Sequence, residues 1–204
     1  MGLPVPPAPL FGEACPPHAS PDTLALLSQR RSSSAQLLGD PAPGEAELAD
    51  LLRLAARVPD HGKMQPWRCI VLRGDDKATF VERLRTLAAL QPNPEKAQGA
   101  LFKIATPPLC VAVVSSTREG GKPVWEQQLS AGAVCMTLLI AAQAMGYGAN
   151  WITDWYGYDR AALTTLGLRE GETLAGWIML GTPSEPPLER VRPDMASIVS
   201  VWTG

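Results

Sequence analysis

The densest set of chemically capable residues in this 204-residue chain is RVPDHGKMQPW at 57–67. Arg57, His61 and Lys63 stand there among Pro59 and Pro66, whose rings restrict the backbone around them. His61 is the only imidazole outside the N-terminal stretch, where His18 lies. A Ser-His or Cys-His hydrolase would have to use it, yet no G-x-S-x-G accompanies it. Zinc needs several ligands at close spacing, and Asp60 alone does not supply them. The second cluster is RRSSS at 30–34. Two adjacent arginines with hydroxyls can grip a terminal phosphate through charge-assisted, partly bidentate hydrogen bonds. Equally, Arg30 and Arg31 can compensate the negative end of a helix before them.

Neither cluster belongs to a known phosphate-loop motif. G-x-G-x-x-G between strand and helix is absent, and GYGAN joins a helix to a strand, the wrong order for a dinucleotide fingerprint. Walker A is absent as well.

Local signals place both clusters at helix ends. Ser20 is an N-cap candidate with Pro21 at the first helical position, and Leu24, Leu27 and Ala25 are expected to face inward until QRRSSS stops the helix. EAELADLLRLAAR reads as a second helix with Leu48, Leu51, Leu52 and Ala55 on one face, ended by Pro59. CIVLRG then reads as a strand. DDKATFVERLRTLAAL reads as a helix capped by Asp75 or Asp76, with Phe80, Leu84 and Leu87 on one face. QPNPEKAQ is expected to be a surface turn. TPPLCVAVVSS is the continuous apolar strand of a sheet covered on both faces. VWEQQLSAGAVCMTLLIAAQAMGYG is the longest helical pattern. Its Ala, Gly, Ser, Thr and Gln content favours a buried central helix over a membrane span. ANWITDW and TLAGWIMLGTP supply two more strands around a short helix at DRAALTTLG. The tail after 183 is Pro-rich and closes on SIVSVW, a strand-like run expected to leave the body and pair with a partner subunit. The irregular alternation of elements favours an α+β layered fold with a mixed, mainly antiparallel sheet.

Composition agrees with one ordinary globular domain over 20–204 and a flexible, Pro-rich extension over 1–19. The net charge is −2, with basic residues dispersed among acids, which argues against nucleic acid or anionic membrane as partner. No basic n-region or apolar h-region precedes residue 20. Four scattered cysteines without a C-x-x-C pair point to a reducing compartment, so a cytoplasmic location is expected.

RRSSS, ARVPDHGKMQPWRCIVL, WEQQLSAGAVCMTLLIAAQAMGYGANWITDW and GWIMLGTP, in that order over residues 22–183, resemble the FMN-dependent nitroreductase family, and most of all its short bacterial branch of NAD(P)H nitroreductases. The resemblance implies a three-layer fold and an intertwined homodimer with two FMN sites at the subunit interface. It implies that Arg30, Arg31 and Ser32 hold the FMN of one site, that Arg57 and His61 reach it from the other subunit, and that Trp151, Ile152 and Thr153 line the ring. Residues 141–146 match a stretch assigned in that branch to the nicotinamide nucleotide. Chemistry would be a ping-pong hydride transfer from NAD(P)H through FMN to a nitroaromatic, quinone or similar flat acceptor, with no catalytic side chain and no metal. A flavin-binding protein without turnover and a flavin-dependent dehydrogenase are the alternatives. Two departures stand out: Gln36 replaces a further basic residue, leaving Arg190 or Arg192 to complete the phosphate contacts, and Ile152 replaces an arginine.

Overall fold

The computed structural model describes residues 3–204. Its elements in chain order are α1 (Pro21–Gln29), β1 (Leu38–Gly39), α2 (Glu45–Ala55), β2 (Trp67–Arg73), α3 (Gly74–Ala88), α4 (Pro94–Ala100), α5 (Phe102–Ala105), β3 (Leu109–Ser115), α6 (Val124–Ala144), β4 (Gly148–Ile152), α7 (Arg160–Thr165), β5 (Thr173–Pro183) and α8 (Met195–Ile198). The strands run β1-β5-β3-β2, with β4 also paired to β5. Every pair is antiparallel.

All seven residues of β3 are buried, as its unbroken apolar run requires. Cys110, Ala112 and Val114 turn to one face, where α3 supplies Phe80 and Leu84, α4 Ala97, α5 Ile104 and α7 Leu163. Leu109, Val111 and Val113 turn to the other, against Leu51 of α2 and Val134 and Leu138 of α6. This period-two split builds the expected three layers. Burial pushes the thiols of Cys110 and Cys135 up to about 12 and that of Cys69 up to about 11, so these cysteines act as small hydrophobes.

Several expectations need correction. Residues 92–100 are not a plain turn: Asn93 accepts from Lys96 N at 3.0 Å and Pro94 takes the first helical position, which starts α4. Asp75 and Asp76 sit in the first turn of α3 and cap nothing. In α1 no residue is buried, and Leu24 and Leu27 remain 69% and 47% exposed because no layer of the chain covers that face. SIVSVW is not a strand: Ser197 and Ile198 end α8, and Val199, Val201 and Trp202 follow it in the open. Residues 3–19 carry no helix or strand, while Met1 and Gly2 lie outside the described residues. Among the described residues, no helix is long and apolar enough to cross a membrane.

Candidate functional site

The Arg30 cluster forms where α1 gives way to an extended segment. Ser33 N donates to Ala149 O at 3.0 Å, Asn150 Nδ2 donates to Ser33 O, and Gln143 Nε2 donates to Arg31 O, so β4 and the end of α6 together hold the segment. Gly148 permits this approach, since a Cβ there would lie 2.9 Å from Ser33 Oγ. The Pro-rich tail then crosses the same place. Arg31 Nε donates to Leu188 O at 2.8 Å, and Arg192 Nη2 reaches Arg30 O at 3.4 Å. A cavity of about 380 Å³ results, lined among others by Arg30, Arg31, Ser33, Gln143 and Pro187.

Its electrostatics are lopsided. Partial burial, and then the like charges of Arg192, Arg31 and Arg190, push the Arg30 guanidinium below its ordinary value. Glu189, at 3.0 Å from Arg192 and 3.9 Å from Arg31, is the carboxylate paired with this group. Arg30 Nη2 donates to Ser32 Oγ at 3.2 Å, yet its Nε is buried without a partner, and so is Gln143 Oε1. Clustered guanidiniums with an unanswered buried donor are the chemistry of a site for a dianionic group.

The His61 loop lies at the other end of α6. Asp60 accepts from Met64 N at 3.0 Å and Gln65 N at 2.8 Å, which curls the loop. Lys63 and Gln65 take positive φ within it. Ser130 Oγ donates to Pro59 O at 2.7 Å and accepts from Trp67 Nε1 at 3.2 Å, clamping both ends. His61 Nδ1 donates to Glu126 Oε2 at 2.6 Å, so the ring is held by one nitrogen and presents the other outward. Arg57 is exposed.

Between these ends lies Trp151. Its indole N–H donates to Ala175 O at 3.1 Å, a carbonyl freed by the β5 irregularity opposite Val113 and Val114. A Cβ on Gly176 would come within 1.9 Å of Trp151 Nε1, and one on Gly132 within 3.8 Å of the ring, so two glycines cradle it. Ile152 packs into the α3 side of the core, and Thr153 Oγ1 bonds Tyr158 Oη at 2.9 Å.

Residues 27–182 match the model of the nitroreductase family. The chain belongs to that family. The protein named "Putative NAD(P)H nitroreductase YdjA" of Escherichia coli K12 is 36% identical over 167 residues, which is 79% of this chain and 88% of that protein. A relative from Haemophilus influenzae is 32% identical over 168 residues, or 80% and 90% of the two chains. Among solved structures, a nitroreductase-like family protein from Bacillus cereus matches with TM-score 0.78 at 19% identity, covering 94% of this chain and all of that one. A nitroreductase from Bacteroides fragilis, solved with bound FMN, matches with TM-score 0.69 at 18% identity over 90% of this chain and all of that one.

Within this nitroreductase chain, Arg30, Arg31 and Ser32 come together with Arg190 and Arg192, Trp151 and Ile152 end β4, and Thr153 follows it. Arg57 and His61 do not join them. Glu126, which holds His61, and Gln143, which holds Arg31, are 17 residues apart on α6, a span of about 25 Å at 1.5 Å per residue. Of residues 141–146, Ala141 and Ala142 are in the core, while Gln143, which also braces Arg31, and Gly146 line the cavity. The bonds of Asn150 to Ser33 O and of Glu126 to His61 have no local signal in the sequence, because the partners are 117 and 65 positions away.

Proposed function

We propose that this protein is an FMN-dependent oxidoreductase that draws electrons from NAD(P)H and reduces a nitroaromatic, quinone or similar flat acceptor, acting as a cytoplasmic homodimer with two shared flavin sites. The observation that carries the reading is the buried, unpartnered Nε of Arg30, a residue that lines a cavity with Arg31 and feels the like charges of Arg190 and Arg192. A terminal phosphate of FMN answers both the charge excess and the orphan donor. Bound FMN supplies the redox chemistry, taking electrons from NAD(P)H and releasing them to the acceptor in separate half-reactions. Arg30, Arg31 and Ser32 hold the phosphate and ribityl end, and Trp151 and Thr153 border the ring with the backbone of Ile152, whose side chain is turned into the core. Arg57 of the opposite protomer brings positive charge to it, which favours the reduced, anionic form, and His61, its Nδ1–H taken by Glu126, stands in the same loop.

The distance along α6 supports the shared site. One flavin cannot touch both ends of the same helix, so an Arg30 and a His61 that serve one cofactor must come from two chains. The open apolar side chains Leu24, Leu27, Trp125 and Leu129, and Val199, Val201 and Trp202 of the tail, are the surface such a dimer would cover.

The visible spectrum of the purified protein tests the reading. Flavin absorbance, present as isolated or gained on adding FMN, is expected, with bleaching by NADH or NADPH under anaerobic conditions and dimer mass in sedimentation. No flavin uptake would sink the proposal, and bound flavin that no nicotinamide bleaches would leave a binding protein without turnover. Parallel double-reciprocal plots are the expected sign of separate half-reactions.

A further inference from the structure

Asp154 follows the ring-lining segment directly and holds φ 62°, ψ 176°, a backbone region that is essentially glycine's alone and is strained for any side chain. Such strain persists only where surrounding bonds over-determine it, and here they are visible. Asp154 Oδ1 accepts the N–H of Trp155 at 2.8 Å, and its Oδ2 takes Lys103 Nζ of α5 at 2.7 Å. The next residue is pinned as well, because Trp155 Nε1 donates to Ala97 O of α4 at 3.0 Å. Two short helices therefore hold the two residues that follow Thr153. Asp154 is well shielded, with 16% of its side chain exposed.

We propose that Lys103 is a positioning residue: its bond to Asp154 keeps the chain in this glycine-like turn and so sets the path of Trp151–Thr153 against the cofactor. The inference rests on the flavin reading of that segment. Lys103 touches neither cofactor nor acceptor and acts only through Asp154. α4 and α5 thereby gain a purpose beyond filling the core, as the abutment of the turn.

The test uses the full-length protein and two readouts, the FMN dissociation constant from quenching of flavin fluorescence and the melting temperature without added flavin. Lys103→Met releases the latch, and FMN affinity is expected to fall about 5-fold or more, as release of a strained backbone implies. Lys103→Arg keeps the charge and binds as the wild type does. The decisive variant is Lys103→Met with Asp154→Gly, since glycine adopts the turn without a latch; it is expected to recover both affinity and melting temperature. Unchanged affinity in Lys103→Met overturns the proposal, and so does a double variant that stays as weak as the single one. Should Lys103→Met not fold, Asp154→Gly alone decides, because loss of binding there would show that the carboxylate, not the turn, matters. If the wild type takes up no FMN, the cofactor reading fails, while rescue of the melting temperature still judges the latch.

Discussion

The two ends of α6 carry comparable cationic residues in opposite states. At its C-terminal end, Arg30 and Arg31 line a cavity within reach of the charges of Arg190 and Arg192, Glu189 pairs with Arg31 and Arg192, and Arg30 keeps a buried donor without an acceptor. At its N-terminal end, His61 already has Glu126, and Asp60 and Ser130 satisfy the backbone of the loop around it. One end is incomplete by itself. The other is finished and merely presents its groups outward. The contrast is between charge left unanswered within the chain and charge the chain answers for itself.

The largest expected effect breaks the incomplete end. Arg30→Ala should weaken FMN by tens-fold or more, since a hydrogen bond to a charged group is worth about 1.5–3 kcal/mol, and should leave riboflavin, which has no phosphate, nearly unaffected in the same fluorescence titration. Equal losses for both flavins would remove the phosphate from the account. Next comes the finished end. Ser130→Ala strips partners from Trp67 Nε1 and Pro59 O together, and a urea melt should show a loss of about 1–3 kcal/mol. The preference for FMN over riboflavin should survive that change, and its disappearance would mean that the two ends are not separable.

The last comparison, drawn from the course of stability with pH, concerns a guanidinium whose charge is answered. Arg68 Nε and Nη2 grip Glu172 at 2.9 and 2.7 Å, with Ser116 Oγ and Arg169 N adding bonds at 2.6 and 2.8 Å. The Arg68 pairing above all holds the Glu172 carboxyl down, from its ordinary 4.5 to about 2. A carboxylate depressed in the fold stabilises it above the unfolded value, and that contribution fades as pH falls from 4.5 toward 2. Glu172→Gln should therefore flatten the acid limb of stability against pH over that interval. An unchanged limb would show that the pair, unlike the crowded arginines, carries no linked charge.

Much of this contrast was legible in the residues themselves, because local chemistry dictates helix ends. The serines after Arg31 and Pro59 after Arg57 stop their helices whatever the rest of the chain does. The apolar run 109–115 likewise had few places to go but the middle of a covered sheet. What escaped was of two kinds. α4 begins at Asn93-Pro94, a legitimate start signal, but the prolines at 92 and 94 look equally like a turn, and only packing of Ala97, Leu101 and Ile104 on the sheet decides between them. Leu24 and Leu27 escaped because an apolar stripe predicts burial without saying against which chain, and in the tail the strand expected of SIVSVW gave way to the end of α8. Pairings such as His61 with Glu126 have no local signal at all.

In the homodimer proposed above, the length of α6 would carry a genetic consequence. When the half-sites at its two ends serve different cofactors, a chain crippled at Arg30 and a chain crippled at Arg57 are not equivalent losses. Mixed in one dimer, they leave one flavin site with both contributions whole and concentrate both defects in the other. Two inactive alleles could thus restore activity in one cell, which no pair of lesions at the same end of the helix could do.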